Sequence, residues 1–473
     1  MKLQDTLRNS EQKLEGTEKI RIYLCGVTVY DESHIGHART IIVFDVLRKY
    51  LESKGREIEF IQNFTDVDDK IINKANTEKV TAEEISTRYI ENYFRDFDGL
   101  NVKRATNYPK ATEHIEDIVK FIEKLIEKDV AYVSKNGVYF SVTKFSEYGK
   151  LSKKKIDELQ SGSRIQVDEA KNNPLDFAVW KFSEDKPVWD SPWGKGRPGW
   201  HIECSAMSVK YLGENFDIHG GGRDLIFPHH ENEIAQSEAC TESPFAKIWM
   251  HVGMVTIEGE KMSKSLGNTK SIKYVLENWG PNVIRLFCLS GHYSKVIDYS
   301  ESLLAENLVK WRQAEMCYYE MTFAKKVAEK DLEKLYYVQI QTNKCIDRFN
   351  KALESNLNTH EAKTAFFDFV DEINGLAARD KLDNHIVDDY AYKQFGYMMN
   401  VLGLQPTIVD GIEHQQIEEM ISKREMLRDE KKWEHADQIR EVLRDIHNVE
   451  IIDHDSRTIW VKKENIKAEK QKD

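Results

Sequence analysis

The chain has 473 residues, 40% hydrophobic and 31% charged, a balance that implies a globular protein with more than one core. Its net charge of −12 excludes a chain that is basic throughout, although nucleic-acid binding needs only a local positive face. No apolar run approaches the ~20 residues of a membrane span, and residues 1–10 lack the features of a secretory signal, so a cytoplasmic location and no membrane partner are expected.

Residues 20–25 predict a short buried strand. A turn-rich stretch then leads to His34-Ile35-Gly36-His37. Over residues 39–54 Ile41, Phe44, Leu47, Tyr50 and Leu51 recur at helical spacing, and Gly55 is placed to end that helix. Residues 57–64 predict a second strand, completing a βαβ unit of a parallel sheet. Residues 111–128 are amphipathic, with Ile115, Ile118, Val119, Ile122 and Ile126 on one side. Residues 132–142 predict a hairpin turning at Asn136-Gly137. The polar stretch 150–198, with Trp180, Trp189 and Trp193, completes an insertion into the sheet domain. The sheet pattern resumes near Phe216, and residues 247–255 predict a further strand. From Ser300 to about Gly403 glycine and proline are nearly absent, which predicts a helix bundle. Residues 404–410, with Pro406, predict a linker; 413–446 a charged helical stretch; 450–461 a short strand pair; and the lysine-rich 462–473 a frayed end.

Two short signatures carry the chemistry. His34 to His37 follow a strand and open a helix, where free backbone N–H groups and the positive dipole end favour phosphate. Gly36 leaves room for a nucleotide, and the imidazoles can donate to phosphate oxygens. Lys261-Met262-Ser263-Lys264-Ser265 places two lysines in a loop that can close on a triphosphate. Lys264 is the candidate for the larger role, because Lys261 can equally anchor the loop. Either signature alone has a plain alternative, a pair of surface histidines or a solvated basic loop. Together and in this order they point to ATP, with no nucleophile-and-base pair beside either.

A third group is Phe227-Pro228-His229-His230-Glu231-Asn232-Glu233, where His229 and Glu233 are four apart on one helix face. Cys25 and Cys204 can add two thiolates, and such a set suits zinc. The alternative is a buried thiol at Cys204 and a solvated carboxylate at Glu233. All six cysteines, Cys25, Cys204, Cys240, Cys288, Cys317 and Cys345, are expected as ligands or buried thiols rather than disulfides. In Gly220-Gly221-Gly222-Arg223-Asp224 the glycines permit close backbone approach and Asp224 can accept from ribose hydroxyls; a tight turn is the alternative.

At these residues the chain resembles the cysteinyl-tRNA synthetases, a class I aminoacyl-tRNA synthetase family. The likeness runs through Cys25-Gly26-Val27-Thr28-Val29-Tyr30-Asp31, His34 to Arg39, Phe64-Thr65-Asp66-Val67-Asp68-Asp69-Lys70, Gly196 to Cys204, Phe227 to Glu233 and Lys261 to Asn268. The resemblance implies one zinc held by Cys25, Cys204, His229 and Glu233, receiving the thiolate of substrate cysteine. It implies Gly26, Thr65 and Trp200 around that cysteine, ATP with magnesium as co-substrate, and cysteine tRNA as the acceptor. A monomer is expected. The implied architecture is α/β: a Rossmann-like catalytic domain in two halves, 1–119 and 200–265, around a connective insertion, 120–199. A stem-contact region, 266–310, a helix bundle, 311–405, and an anticodon-side module, 406–473, make the mostly helical C-terminal half. In that module Lys423, Arg424, Arg428, Lys431, Lys432, Arg440 and Arg444 form either a positive face for RNA or a solvated helix hairpin. Trp433 is expected to pack the hairpin rather than to stack on a base. Two positions depart from the family pattern: Ser294, followed by Lys295, replaces a frequent arginine, and Arg457 replaces a glycine before Thr458.

Two other functions remain open. One is a cysteine ligase that passes the same adenylate to a sugar amine; the helical regions after Ser300 and Glu413 weigh against it. The other is a catalytically silent RNA-binding paralogue; the intact His34, His37, Lys261 and Lys264 weigh against that.

Overall fold

Strand Lys19–Thr28, helix Ile35–Ser53 and strand Glu57–Thr65 form the expected βαβ unit in a computed structural model that describes residues 1–14, 19–155, 170–262 and 267–470. The strands are rich in Ile, Leu, Tyr and Phe because helices cover both faces of a parallel sheet. Ile22, Tyr23, Leu24 and Ile61 are fully buried. The helix begins at Ile35, earlier than its apolar spacing indicates, because His34 caps it; it ends before Gly55, which takes φ 78°.

The sheet runs Ala246–Val252, Phe216–Gly222, Lys19–Thr28, Glu57–Thr65, with every neighbouring pair parallel. The chain builds outward from Lys19–Thr28 to one side, and only after the insertion does it add strands on the other. A crevice opens at such a reversal, at the carboxyl ends of the strands. The glycine run is not a tight turn: Gly220, Gly221 and Gly222 end a strand. A Cβ on Gly220 would lie 2.0 Å from the Phe44 ring, and one on Gly221 2.8 Å from the His230 ring. Close packing of helix and histidine against the sheet requires glycine at both positions.

The insertion holds a second, antiparallel sheet of strands Ala131–Ser134, Gly137–Phe140, Phe177–Phe182 and Gly196–Pro198. Helix Ile115–Glu127 buries Ile118, Ile122 and Leu125 in one core with Val138, Phe140 and Trp180. That core also takes in Ala206 and Ala235, so the insertion is packed onto the helices that carry the metal-type residues.

The C-terminal half is helical as expected, with helices Ile272–Cys288, Glu301–Thr322, Leu332–Glu354, Thr359–Ala378 and Tyr392–Leu402. Beyond the linker lie the hairpin Gly411–Asp429 with Trp433–Asp445 and the strand pair Val449–Asp453 with Thr458–Lys462. Three details differ from expectation. Trp433 is 57% exposed and does not pack the hairpin. Arg424 is buried and holds Asp453 with two hydrogen bonds, 2.9 and 2.7 Å, so it belongs to the module's interior. The chain end is not frayed as far as residue 470: Ile466 is buried, Lys467–Lys470 is helical, and Arg312 pairs with Glu469.

One buried side chain ties the halves together. The Arg285 guanidinium donates to Asp45 Oδ2 at 2.6 Å, Leu402 O at 2.8 Å and Leu100 O at 3.0 Å. It thereby joins the last long helix of the bundle to the helix that starts at Ile35. No helix among the described residues is long and apolar enough to cross a membrane.

Candidate active site

A cleft of about 330 Å³ opens at the predicted crevice, lined by Cys25 and Gly26 from the first strand, Gly222 and Asp224 after the third, and His34, Gly36 and His37 from the helix start. Trp200 and Lys70 also line it. Thr65 does not; it is buried one layer back, its carbonyl accepting from the Val29 N–H at 3.2 Å.

The His34 and His37 rings stack at 3.8 Å and each serves the helix terminus. His34 Nδ1 accepts from the Gly36 N–H at 3.1 Å, and His37 Nδ1 from the His34 N–H at 3.3 Å. An imidazole that accepts at Nδ1 carries its proton on Nε2, so both rings keep an N–H donor. The second signature reaches the same cleft. Met262 lines it, and its methyl carbon would lie 3.2 Å from a Cβ on Gly36. Just beyond, Lys270 O accepts from the Ile35 N–H and Ser33 O from the Ile272 N–H. Lys264 lies outside the described residues. Lys261 ends a short strand paired with Val255–Ile257.

At the foot of the cleft Cys25, Cys204, His229 and Glu233 bring their ligand atoms within 4.8 Å of one another, all buried. Both alternatives weighed for Cys204 and Glu233 therefore change: the thiol is one of a pair, Cys25 Sγ to Cys204 Sγ 3.9 Å, and the carboxylate is fully enclosed. Helix Glu231–Thr241 begins late because Phe227 is extended, at φ −138°, so Pro228 precedes regular helix instead of opening it. His229 still reaches Glu233, Nε2 to Oε1 2.9 Å.

The centre is arranged for positive charge. Burial opposes charge on His229, yet the Glu233 carboxylate and Cys204 raise it to about 10. Glu233 is held well below the usual carboxylate range: burial works against this, and His219 and His229 outweigh it. The hydrogen bond from Cys25 draws Cys204 down to about 6, while burial pushes Cys25 well up.

Sequence reasoning missed the histidines around this set. His201 Nδ1 lies 2.9 Å from His229 Nδ1, and burial keeps His201 neutral, so His229 donates. His219 Nε2 lies 2.8 Å from Glu233 Oε2, and His230 Nε2 3.2 Å from Cys25 Sγ. His251 backs His230 at 2.8 Å. The available signal was a histidine inside each of two buried strands, Phe216–Gly222 and Ala246–Val252. Trp200 stacks on the His229 ring at 4.2 Å, and a Cβ on Gly26 would collide with Asn63 O at 1.6 Å.

The two departures from the family pattern are internal contacts. Arg457 pairs with Glu320 at 2.6 Å, and Ser294 Oγ meets His292 Nδ1 at 2.9 Å.

Comparison with known proteins agrees with this geometry. The family described as tRNA synthetases class I (C) catalytic domain matches residues 11–309. A cysteine--tRNA ligase of Thermodesulfovibrio yellowstonii is 47% identical over 471 residues, covering 95% of this chain and 96% of that one. One from Thermococcus kodakarensis is 43% identical, covering 97% and 98%. Among solved structures, Mycobacterium tuberculosis methionyl-tRNA synthetase in complex with methionyl-adenylate matches with a TM-score of 0.60 over 82% of this chain and 90% of that one. At 14% identity this is a likeness of fold. The chain belongs to the cysteine--tRNA ligase family of class I tRNA synthetases.

Proposed function

We propose that this chain activates L-cysteine with ATP to cysteinyl adenylate and transfers the cysteine to the 3'-terminal ribose of cysteine tRNA. The observation that carries the reading is one cleft with a phosphate-type helix terminus at its rim and a buried Cys25, Cys204, His229, Glu233 set at its foot.

Two thiols, an imidazole and a carboxylate with converging ligand atoms fit zinc, one ion per chain. Bound there, zinc supplies a contact that prefers a thiolate to a hydroxyl, a distinction that the shape of a pocket makes poorly. The protein's own groups hold that seat in place. His201 fixes the His229 ring through Nδ1, and His219 fixes Glu233 through Oε2, leaving Oε1 toward His229. Trp200 covers His229 and, with Gly26 and Thr65, bounds the space for substrate cysteine.

ATP binds with its magnesium at the rim. His34 and His37 donate through Nε2–H to phosphate oxygens, and Gly36 lets the helix N-terminus approach them. Gly222 and Asp224 flank the nucleotide, with Asp224 accepting from the ribose. The cysteine carboxylate attacks the α-phosphate and pyrophosphate leaves; Lys264, with Lys261 beside it, meets the leaving charge. A terminal ribose hydroxyl of tRNA then attacks the adenylate carbonyl and AMP departs. No covalent enzyme intermediate is needed.

We divide the labour as 1–119 and 200–265 for activation, 120–199 as connective insertion, 266–310 for the acceptor stem, 311–405 as bundle and 406–473 for the anticodon side, in a cytoplasmic monomer. Cysteine-dependent ATP–pyrophosphate exchange followed by charging tests the whole reading. Exchange with cysteine and charging of tRNA are expected. Exchange with transfer to a sugar amine instead would move the assignment to the rival ligase.

A further inference from the structure

Behind the set that faces the cleft lies a second one. Cys25, His219, His230 and Glu233 also bring their ligand atoms within 4.8 Å of one another, and all are buried. The two sets share Cys25 and Glu233, whose Sγ and Oε1 stand 3.3 Å apart. A tetrahedral zinc with ordinary bond lengths spaces a sulfur and an oxygen ligand by roughly 3.5 Å. The shared edge therefore already has the dimension of a ligand pair. Glu233 offers a different oxygen to each side, Oε1 to His229 at 2.9 Å and Oε2 to His219 at 2.8 Å.

Both outer imidazoles are able to present a lone pair. His230 Nδ1 lies 2.8 Å from His251 Nε2, and His251 Nδ1 2.8 Å from Thr6 Oγ1. With the proton on Nδ1, His230 donates to His251 and turns an unprotonated Nε2 toward Cys25. His219 Nδ1 has no hydrogen-bond partner among the described residues, so what lies at Nε2 sets its tautomer. The Trp249 ring, stacked on His219 at 4.4 Å, fixes the imidazole plane. Two cysteines and a glutamate also provide more anionic ligands than one divalent ion neutralises.

We propose that the protein binds a second divalent ion of the zinc type at Cys25, His219, His230 and Glu233, bridged to the first through Cys25 and Glu233. The first seat has two thiolates and opens on the cleft, whereas the second has one and is enclosed. The second ion therefore binds more weakly and more slowly. Histidines at these positions would otherwise serve only to orient the ligands of a single ion, and the two cases differ in stoichiometry.

The test is a titration of the metal-free, full-length protein with Co²⁺, following d–d and thiolate charge-transfer absorption and counting ions by native mass spectrometry. Two equivalents are expected in the wild type. His230→Ala and His219→Ala should each lose the later equivalent and keep the earlier one; His230→Gln, which retains a partner for His251, guards against a misfolded variant. Saturation of the wild type at one equivalent overturns the proposal, and that measurement needs no variant. A later equivalent that survives both histidine substitutions is surface-bound and also overturns it. The proposal shares two ligands with the first seat, so Cys204→Ser tests that seat separately: it should abolish the earlier equivalent and spare the later.

Discussion

His34 and His37 hold the same helix terminus from two sides: His34 Nδ1 accepts from Gly36 N–H at 3.1 Å and His37 Nδ1 from His34 N–H at 3.3 Å. The capping duty and the proposed phosphate duty thus fall on different nitrogens of each ring. Asparagine reproduces the Nδ1 acceptor but has nothing in the place of Nε2. His37→Asn should therefore keep the cap and slow adenylate formation by roughly 10²–10³, the cost of one oriented donor. His37→Ala should add a stability loss of about 1 kcal/mol. Single-turnover activation and thermal unfolding, measured on both variants, separate the two duties; equal unfolding temperatures would refute the split.

Cys204→Ser should lower zinc content and raise KM for cysteine more than KM for ATP. The Cys204 thiol is drawn to about 6 by its Cys25 neighbour, and no serine hydroxyl ionises in that range. Chelation of the wild type should reproduce the same selective loss, and zinc should reverse it. Full cysteine activation by rigorously metal-free protein would end the assignment.

Lys264→Ala should slow activation by about 2–4 kcal/mol in barrier while leaving cysteine binding nearly unchanged, because the charge it meets develops only in the transition state. Rapid-quench measurement of adenylate, set against equilibrium binding of cysteine, checks it. An unchanged single-turnover rate would reassign the loop.

Glu464 makes the docking of the chain end pH-dependent. Burial chiefly, with Glu315 adding, pushes its carboxyl up to about 7, against the Asn282 hydrogen bond and Arg312. A carboxyl raised in the folded state stabilises below its unfolded value, near 4.5, and that stability is lost as pH rises through about 7. The wild type should lose on the order of 1–3 kcal/mol across this window relative to Glu464→Gln. Paired unfolding curves at pH 5, 6, 7 and 8 read the difference directly; parallel curves would contradict it.

A chain ending near Leu404 should keep pyrophosphate exchange and lose most tRNA charging. It should also melt earlier, since Trp460 packs on Tyr319 and Phe323 at 5.4 and 5.3 Å. Exposed Trp433 gives a finer version. Trp433→Ala should change stability by no more than ~0.5 kcal/mol and weaken tRNA binding by about 1–3 kcal/mol if a base stacks there. Charging by the intact chain should weaken with salt. Charging by the truncated chain at full efficiency and low tRNA concentration would remove the module from RNA recognition.

The strands, helices and turns were legible because periodicity and turn chemistry are local. Asn136-Gly137 gave a hairpin, and the gap at Pro406 gave a linker. The ligand set was legible only in part. Spacing pairs His229 with Glu233, but Cys25 and Cys204 stand 179 residues apart and meet only through packing of separate elements on one sheet. The supporting histidines were not legible, since a histidine inside a buried strand reads as an ordinary core residue until its partner is known. The glycine run was ambiguous for the same reason, because Phe44, the ring that demands it, comes from a distant helix. Trp433 was misjudged because an aromatic at a helix start carries no local sign of whether anything covers it.

The division of the metal-type ligands across the insertion has a consequence for how the protein is made. Cys25 leaves the ribosome early, and 208 residues separate it from Glu233. At ordinary translation rates of 5–20 residues per second this is a wait of roughly 10–40 s. Through that interval the first βαβ unit can form, but its thiol has neither carboxylate nor second thiol to share a cation with. Metal loading is therefore a late event of synthesis, and the nascent chain passes through a stage in which the future heart of the enzyme is a single unguarded cysteine.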